Sequence, residues 1–107
     1  MLKFCFYVPE SHLETVKSAV FDAGAGHIGN YQECCWQVLG SGQFRPLRGA
    51  NPALGTVDTL EHVAEYRVEM VCAEDRIGAV IAALRNVHPY EEPAFDVTQI
   101  LDFTRSH

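Results

Sequence analysis

Leu2, Phe4, Phe6 and Val8 alternate with Lys3, Cys5 and Tyr7 at the start of the chain. A period of two marks a strand with one buried face. Pro9, Glu10, Ser11 and His12 then open a helix, with Ser11 and Glu14 spaced as a capping box. Leu13, Val16, Ala19, Val20 and Ala23 recur at helical spacing, and Gly24 is a natural stop. After a glycine-rich stretch the pattern predicts a strand over 31–39. It then predicts a turn at Gly40, Ser41 and Gly42 and a short returning strand over 43–45. Residues 46–60 carry Pro46, Gly49, Pro52 and Gly55 and read as a long ordered loop, a feature usually tied to function or assembly.

Period two returns over 63–72, with Tyr66, Val68, Met70 and Cys72 on one face. Glu74 and Asp75 begin a second helix, with Ile77, Val80, Ile81 and Leu84 as its apolar stripe. Phe95, Val97 and residues 99–101 supply a last strand, and 103–107 read as a frayed tail. The order is β-α-β-(β)-β-α-β. It predicts an α+β, ferredoxin-like βαββαβ sandwich: two helices on one face of an antiparallel sheet, with an extra hairpin and a long loop. The uncovered sheet face calls for a partner, and self-association is the expected cover.

Composition narrows the classes. The 107 residues make one domain with a single core. Net charge is −6, from 14 acidic and 8 basic side chains, which argues against nucleic acid and anionic membrane surfaces as partners. No apolar run approaches the roughly 20 residues of a membrane span, and Pro9 and Glu10 arrive too early for a signal peptide. Four cysteines without a C-x-x-C pair suit a reducing compartment. A cytoplasmic protein is expected.

The densest chemistry lies in His88-Pro89-Tyr90-Glu91-Glu92-Pro93. Two prolines stiffen a corner that carries an imidazole, a phenol and two carboxylates. Such a corner is either a site or a well-built entry to a strand in which His88 caps the preceding helix. His27, among Gly24, Gly26 and Gly29, is the other candidate; its glycines let a backbone or a ligand come close, though no P-loop is present. Both loops follow helices, which places both at one end of the sheet. His27 and His88 with Glu65 or Glu91 would then give a two-histidine, one-carboxylate set for a divalent metal ion, zinc first. Arg45 and Arg48 are candidate anion contacts, against the blander reading of a solvated loop. Trp36 suits a core or an interface. No serine or cysteine nucleophile set stands out.

Four motifs together resemble one family. They are Tyr7-Val8-Pro9-Glu10; Gly24-Ala25-Gly26-His27-Ile28-Gly29-Asn30-Tyr31; Phe44-Arg45-Pro46-Leu47 with Gly49-Ala50-Asn51-Pro52; and His88-Pro89-Tyr90-Glu91-Glu92-Pro93-Ala94-Phe95-Asp96. They look like the insert domain of YqfO-type proteins of the NIF-three-like family, nearly end to end and in order. That resemblance implies a fold like the CutA and PII trimers, and it singles out Glu91 over Glu92. Gly26, Asn30, Arg45 and Tyr90, all within these motifs, are the candidate small-ligand contacts. Full-length members carry a larger domain with a two-metal centre on both sides of the insert, for which this chain has no room, so hydrolase activity is not expected to carry over. The expected function is an oligomeric, non-enzymatic module for a small ligand or divalent metal, as a trimer before a dimer. An assembly or regulatory domain without ligand comes next, and a small metal-dependent hydrolase third.

Overall fold

Phe4, Phe6 and Val8 sit at the centre of the core, as their alternation requires. The computed structural model describes residues 1–101; the tail expected over 103–107 lies outside them. Strand β1 (Leu2–Pro9) passes through a 3-10 turn (Glu10–His12) into helix α1 (Leu13–Asp22). Strand β2 (Trp36–Phe44), strand β3 (Glu61–Cys72), helix α2 (Ile77–Val87) and strand β4 (Phe95–Gln99) follow. The sheet has the order β2-β3-β1-β4, with every neighbouring pair antiparallel. The expected α+β sandwich is therefore the fold.

Both helices cover one face. Val16 and Val20 of α1 and Val80 and Leu84 of α2 close over Phe4, Phe6, Val68 and Met70. Each such side chain removed from water stabilises the fold by about 1.5–3 kcal/mol. α1 stops as Gly24 implies: Gly24 N–H donates to Phe21 O, Ala25 N–H donates to Val20 O, and Gly24 takes φ 117°. That pair of bonds is a Schellman ending, which satisfies two otherwise orphaned carbonyls.

Three local expectations are corrected. The first concerns β2, which begins at Trp36 rather than Tyr31 and runs straight through Gly40 and Gly42 to Phe44. Residues 31–35 are held in the preceding loop by an Ile28–Tyr31 bridge and a Cys34 N–H to Gly26 O bond, and Glu33 at φ 60° cannot extend a strand. Gly40 and Gly42 make no turn because β3 offers a continuous partner, Gly40 opposite Glu65 and Gly42 opposite Val63. The second is the capping box, which does not form: Ser11 Oγ bonds His12 Nδ1 at 2.8 Å, and α1 starts at Leu13 without a side-chain cap. The third is the start of α2 at Ile77, after a turn in which Arg76 N–H donates to Ala73 O.

β1 pairs with β3 only from Glu65 onward, so the far ends of β2 and β3 project beyond the layered body. The molecule is 53 Å long and 23 Å across, with a radius of gyration of 15.1 Å. A compact chain of this size would have about 13 Å. Among the described residues no helix covers the second sheet face. It presents Lys3, Cys5 and Tyr7 of β1, Glu65, Arg67 and Glu69 of β3, and Trp36 and Val38 of β2, by the register of the pairs. Trp36 there is 62% exposed rather than buried in a core.

Candidate functional site

The projecting hairpin, the 45–54 part of the long loop and the proline corner enclose a groove with about 600 Å³ of free space. That is within the range of small-molecule sites. Its floor is the open sheet face at the end of β1, with Tyr7 and Glu65. One wall is Phe44 and the loop, carrying Arg45, Leu47, Arg48 and Leu54, and the other is Tyr90, Glu91 and Glu92. Four residues singled out from the sequence, Arg45, Glu65, Tyr90 and Glu91, thus come together here.

Local structure explains how. Asp58 N–H donates to Pro46 O at 2.6 Å, and Ala50 N–H donates to Leu47 O, so the loop closes on itself. Asn51 N–H donates to Glu91 Oε1 at 3.2 Å and ties the loop to the corner. Glu91 is therefore a clasp. Glu65 lies along the sheet over Gly42, where an added Cβ would collide with its Oε1. Neither Gly40 nor Gly42 has positive φ, so Gly42 is fitted by space and not by backbone conformation. Burial pushes the Glu65 carboxyl above its usual range. Burial, and then the nearby Glu65 charge, push the Tyr90 phenol up as well. The Tyr90 hydroxyl is fully enclosed and has no hydrogen-bond partner among the described residues. Phe44 and Tyr90 stack at a tilt, ring centroids 6.2 Å apart.

His88 is the anchor of the corner. It is only 8% exposed. Its Nε2–H donates to Tyr7 O at 2.7 Å, and its Nδ1 accepts from Tyr90 N–H at 3.1 Å. The second bond needs a lone pair on Nδ1, so the ring is neutral with its proton on Nε2. Burial, with His12 as a lesser cause, holds its pKa below the ordinary value, partly offset by the Tyr7 carbonyl. Both ring nitrogens are engaged, and ligating a metal would break one of these bonds.

His27 is elsewhere. Gly26 N–H donates to Val71 O at 2.8 Å, and Val71 pairs with Lys3, whereas His88 bonds Tyr7. Four strand residues separate the two levels, about 13 Å. The shared end expected from sequence is therefore corrected. β3 runs opposite to β1, so α1 returns to one end of the sheet and α2 to the other. His27 and His88 do not meet within one chain, and among the described residues no three His, Cys, Asp or Glu side chains converge as metal ligands. Gly26 and Asn30 lie with His27, away from the groove. Gly26, at φ 80°, is fixed by packing, since a Cβ would meet Phe21 at 2.8 Å. Asn30 occupies the exposed turn between Ile28 and Tyr31. The sequence reading did not pick out Tyr7 or Phe44 as groove residues; their place on the uncovered face was the available signal.

No family model matches the chain. It is 55% identical over 95 residues to a GTP cyclohydrolase 1 type 2 homolog of Mycobacterium tuberculosis, covering 89% of this chain and 25% of that protein. The Bacillus subtilis protein of the same name is 46% identical over 95 residues, covering 89% of this chain and 26% of the relative. The chain thus spans about a quarter of the length of the curated relatives it matches. Among solved structures, a Bacillus cereus protein related to NIF3 superposes with a TM-score of 0.82 at 40% identity, over 94% of this chain and 26% of that one. A periplasmic divalent cation tolerance protein CutA from Archaeoglobus fulgidus superposes with a TM-score of 0.66 at 14% identity, over 94% and 84%. The latter likeness concerns the fold alone.

Proposed function

We propose, for a chain homologous to a quarter-length segment of NIF3-related proteins and sharing the CutA fold, that it is a self-associating, non-enzymatic module that holds a small organic ligand in the groove between hairpin, long loop and proline corner. The observation that carries this reading is the Tyr90 hydroxyl, enclosed without a partner beside a cavity large enough for a metabolite. A buried unpaired hydroxyl costs about 1–3 kcal/mol, a cost that a bound polar group removes. The groove ranks ahead of a divalent metal site because its polar groups are spread along opposite walls and His88 is already satisfied on both nitrogens. Exposed Trp36 and Val38 on the uncovered sheet face support self-association, with a trimer favoured by analogy of fold. The free cysteines Cys5, Cys34, Cys35 and Cys72 support a cytoplasmic setting.

The test is a thermal-shift panel of nucleotides, sugar phosphates, carboxylic acids and zinc chloride on the wild type and on Arg45→Ala/Tyr90→Phe. Nucleotides are included because the curated relatives carry GTP in their name. At least one organic member is expected to raise the melting temperature of the wild type by several degrees and to lose most of that effect in the variant. A panel with no organic hit, or hits that survive the double substitution, would refute the groove as the site.

A further inference from the structure

Glu65 is the charged group on the floor of the groove. It is half-buried on the uncovered sheet face, with its carboxylate over Gly42 in the space that a side chain there would fill. Burial alone pushes its carboxyl up, and no neighbouring donor or cation among the described residues draws it back. Phe44 follows Gly42 on the same face of β2, two positions and about 7 Å along the strand. Its ring meets that of Tyr90, whose enclosed hydroxyl has no partner among the described residues. Tyr7 lines the same groove. The floor thus joins an unpaired carboxylate to three aromatic rings. Of the other carboxylates in the lining, Glu91 is taken by the Asn51 amide and Glu92 is exposed to solvent.

That combination suits an organic ammonium. The carboxylate accepts its N–H groups and supplies the opposite charge, a phenol oxygen can accept another, and the ring faces attract a cation. An anion at the floor would meet the Glu65 charge instead. On the loop wall the sign reverses: Arg45 and Arg48 are exposed guanidiniums, the usual partners of a carboxylate. Pro46, Leu47 and Leu54 add apolar wall. Resting on the groove as the binding site, we propose that its ligand is a zwitterionic amino acid with an apolar side chain, its ammonium on Glu65 among the rings and its carboxylate toward Arg45 and Arg48. Gly42 is a positioning residue in this site, because only glycine there leaves room for the Glu65 carboxylate.

Titration calorimetry on the full chain tests this with L-leucine, L-phenylalanine and the deaminated and decarboxylated analogues of each. At least one amino acid is expected to bind about tenfold or more tightly than its deaminated analogue, the effect of a charge-assisted hydrogen bond. It should also bind more tightly than its decarboxylated analogue. Glu65→Gln should remove the preference for the amino group, and Gly42→Ala should do the same by displacing the carboxylate. Arg45→Ala/Arg48→Ala should instead remove the preference for the carboxylate. Without ligand, Glu65→Gln should melt no lower than the wild type, because it deletes a half-buried charge; this control shows that lost binding is not lost folding. Equal binding of the amino acids and their deaminated analogues by the wild type would overturn the proposal, as would an amino preference that survives Glu65→Gln. If only a nucleotide, a sugar phosphate or an acid without an amino group occupies the groove, the amino-acid assignment falls while the groove stands. If nothing organic binds there, both fall.

Discussion

His88 shows how a reactive residue type becomes structural once its two nitrogens are placed. One holds the end of β1 and the other the backbone of Tyr90, so a single ring locks the corner to the sheet. Protonation would put a hydrogen on Nδ1 facing Tyr90 N–H. The folded pKa is depressed below 6.5, mainly by burial. The neutral ring's contribution is therefore fully present above about pH 6.5, the unfolded value, and lost as pH falls through the lower folded value. Urea midpoints from pH 7.5 down to pH 5 should fall more steeply for the wild type than for His88→Gln, which starts less stable. Parallel slopes would show that His88 does not titrate with folding.

Elements meet at the groove through one bond that sequence could not foresee. Asn51 and Glu91 lie 40 positions apart, yet the Asn51 amide and the Glu91 carboxylate fasten the long loop to the α2–β4 corner. Glu91→Ala should free the loop at little cost to the fold, about 1 kcal/mol or less at this exposed site. Trypsin cleavage after Arg48 should quicken several-fold while the melting temperature moves by only a few degrees. Unchanged cleavage would mean that the loop's own bonds, such as Asp58 to Pro46, hold it without the clasp. β2 teaches a related lesson. Its glycines looked like a turn, but a strand continues through Gly40 and Gly42 because β3 pairs along its whole length.

The whole molecule is a two-layer body with a projecting hairpin and one face left open. Charge on that face is largely paired, Arg67 with Glu69 at 2.7 Å and Lys3 with Glu69 at 3.9 Å, while Trp36 stands out beside them. An exposed tryptophan on an uncovered sheet face is the kind of anchor that dominates interfaces. Trp36→Asp should reduce the proposed assembly to a monomer by light scattering at micromolar concentration, with the circular dichroism spectrum retained. A wild-type protein already monomeric under those conditions would remove the open face as an interface.

Sequence alone determined the strands and helices that alternation and helical spacing define: β1, the buried face of β3, both apolar helix stripes and the stop at Gly24. Their order is enough for the α+β sandwich, because only one face of each element is apolar and each must find cover. It also marked Arg45, Glu65, Tyr90 and Glu91 as chemically notable. The tertiary structure decided which of these share a site. Antiparallel pairing of β1 and β3 sent His27 and His88 to opposite ends, since the end to which a helix returns depends on the direction of the strand it follows. Tertiary structure also set whether each polar group found a partner. His88 found two, Glu91 took a backbone amide, and the Tyr90 hydroxyl was left with none, a distinction fixed by contacts across the fold rather than by residue type or spacing.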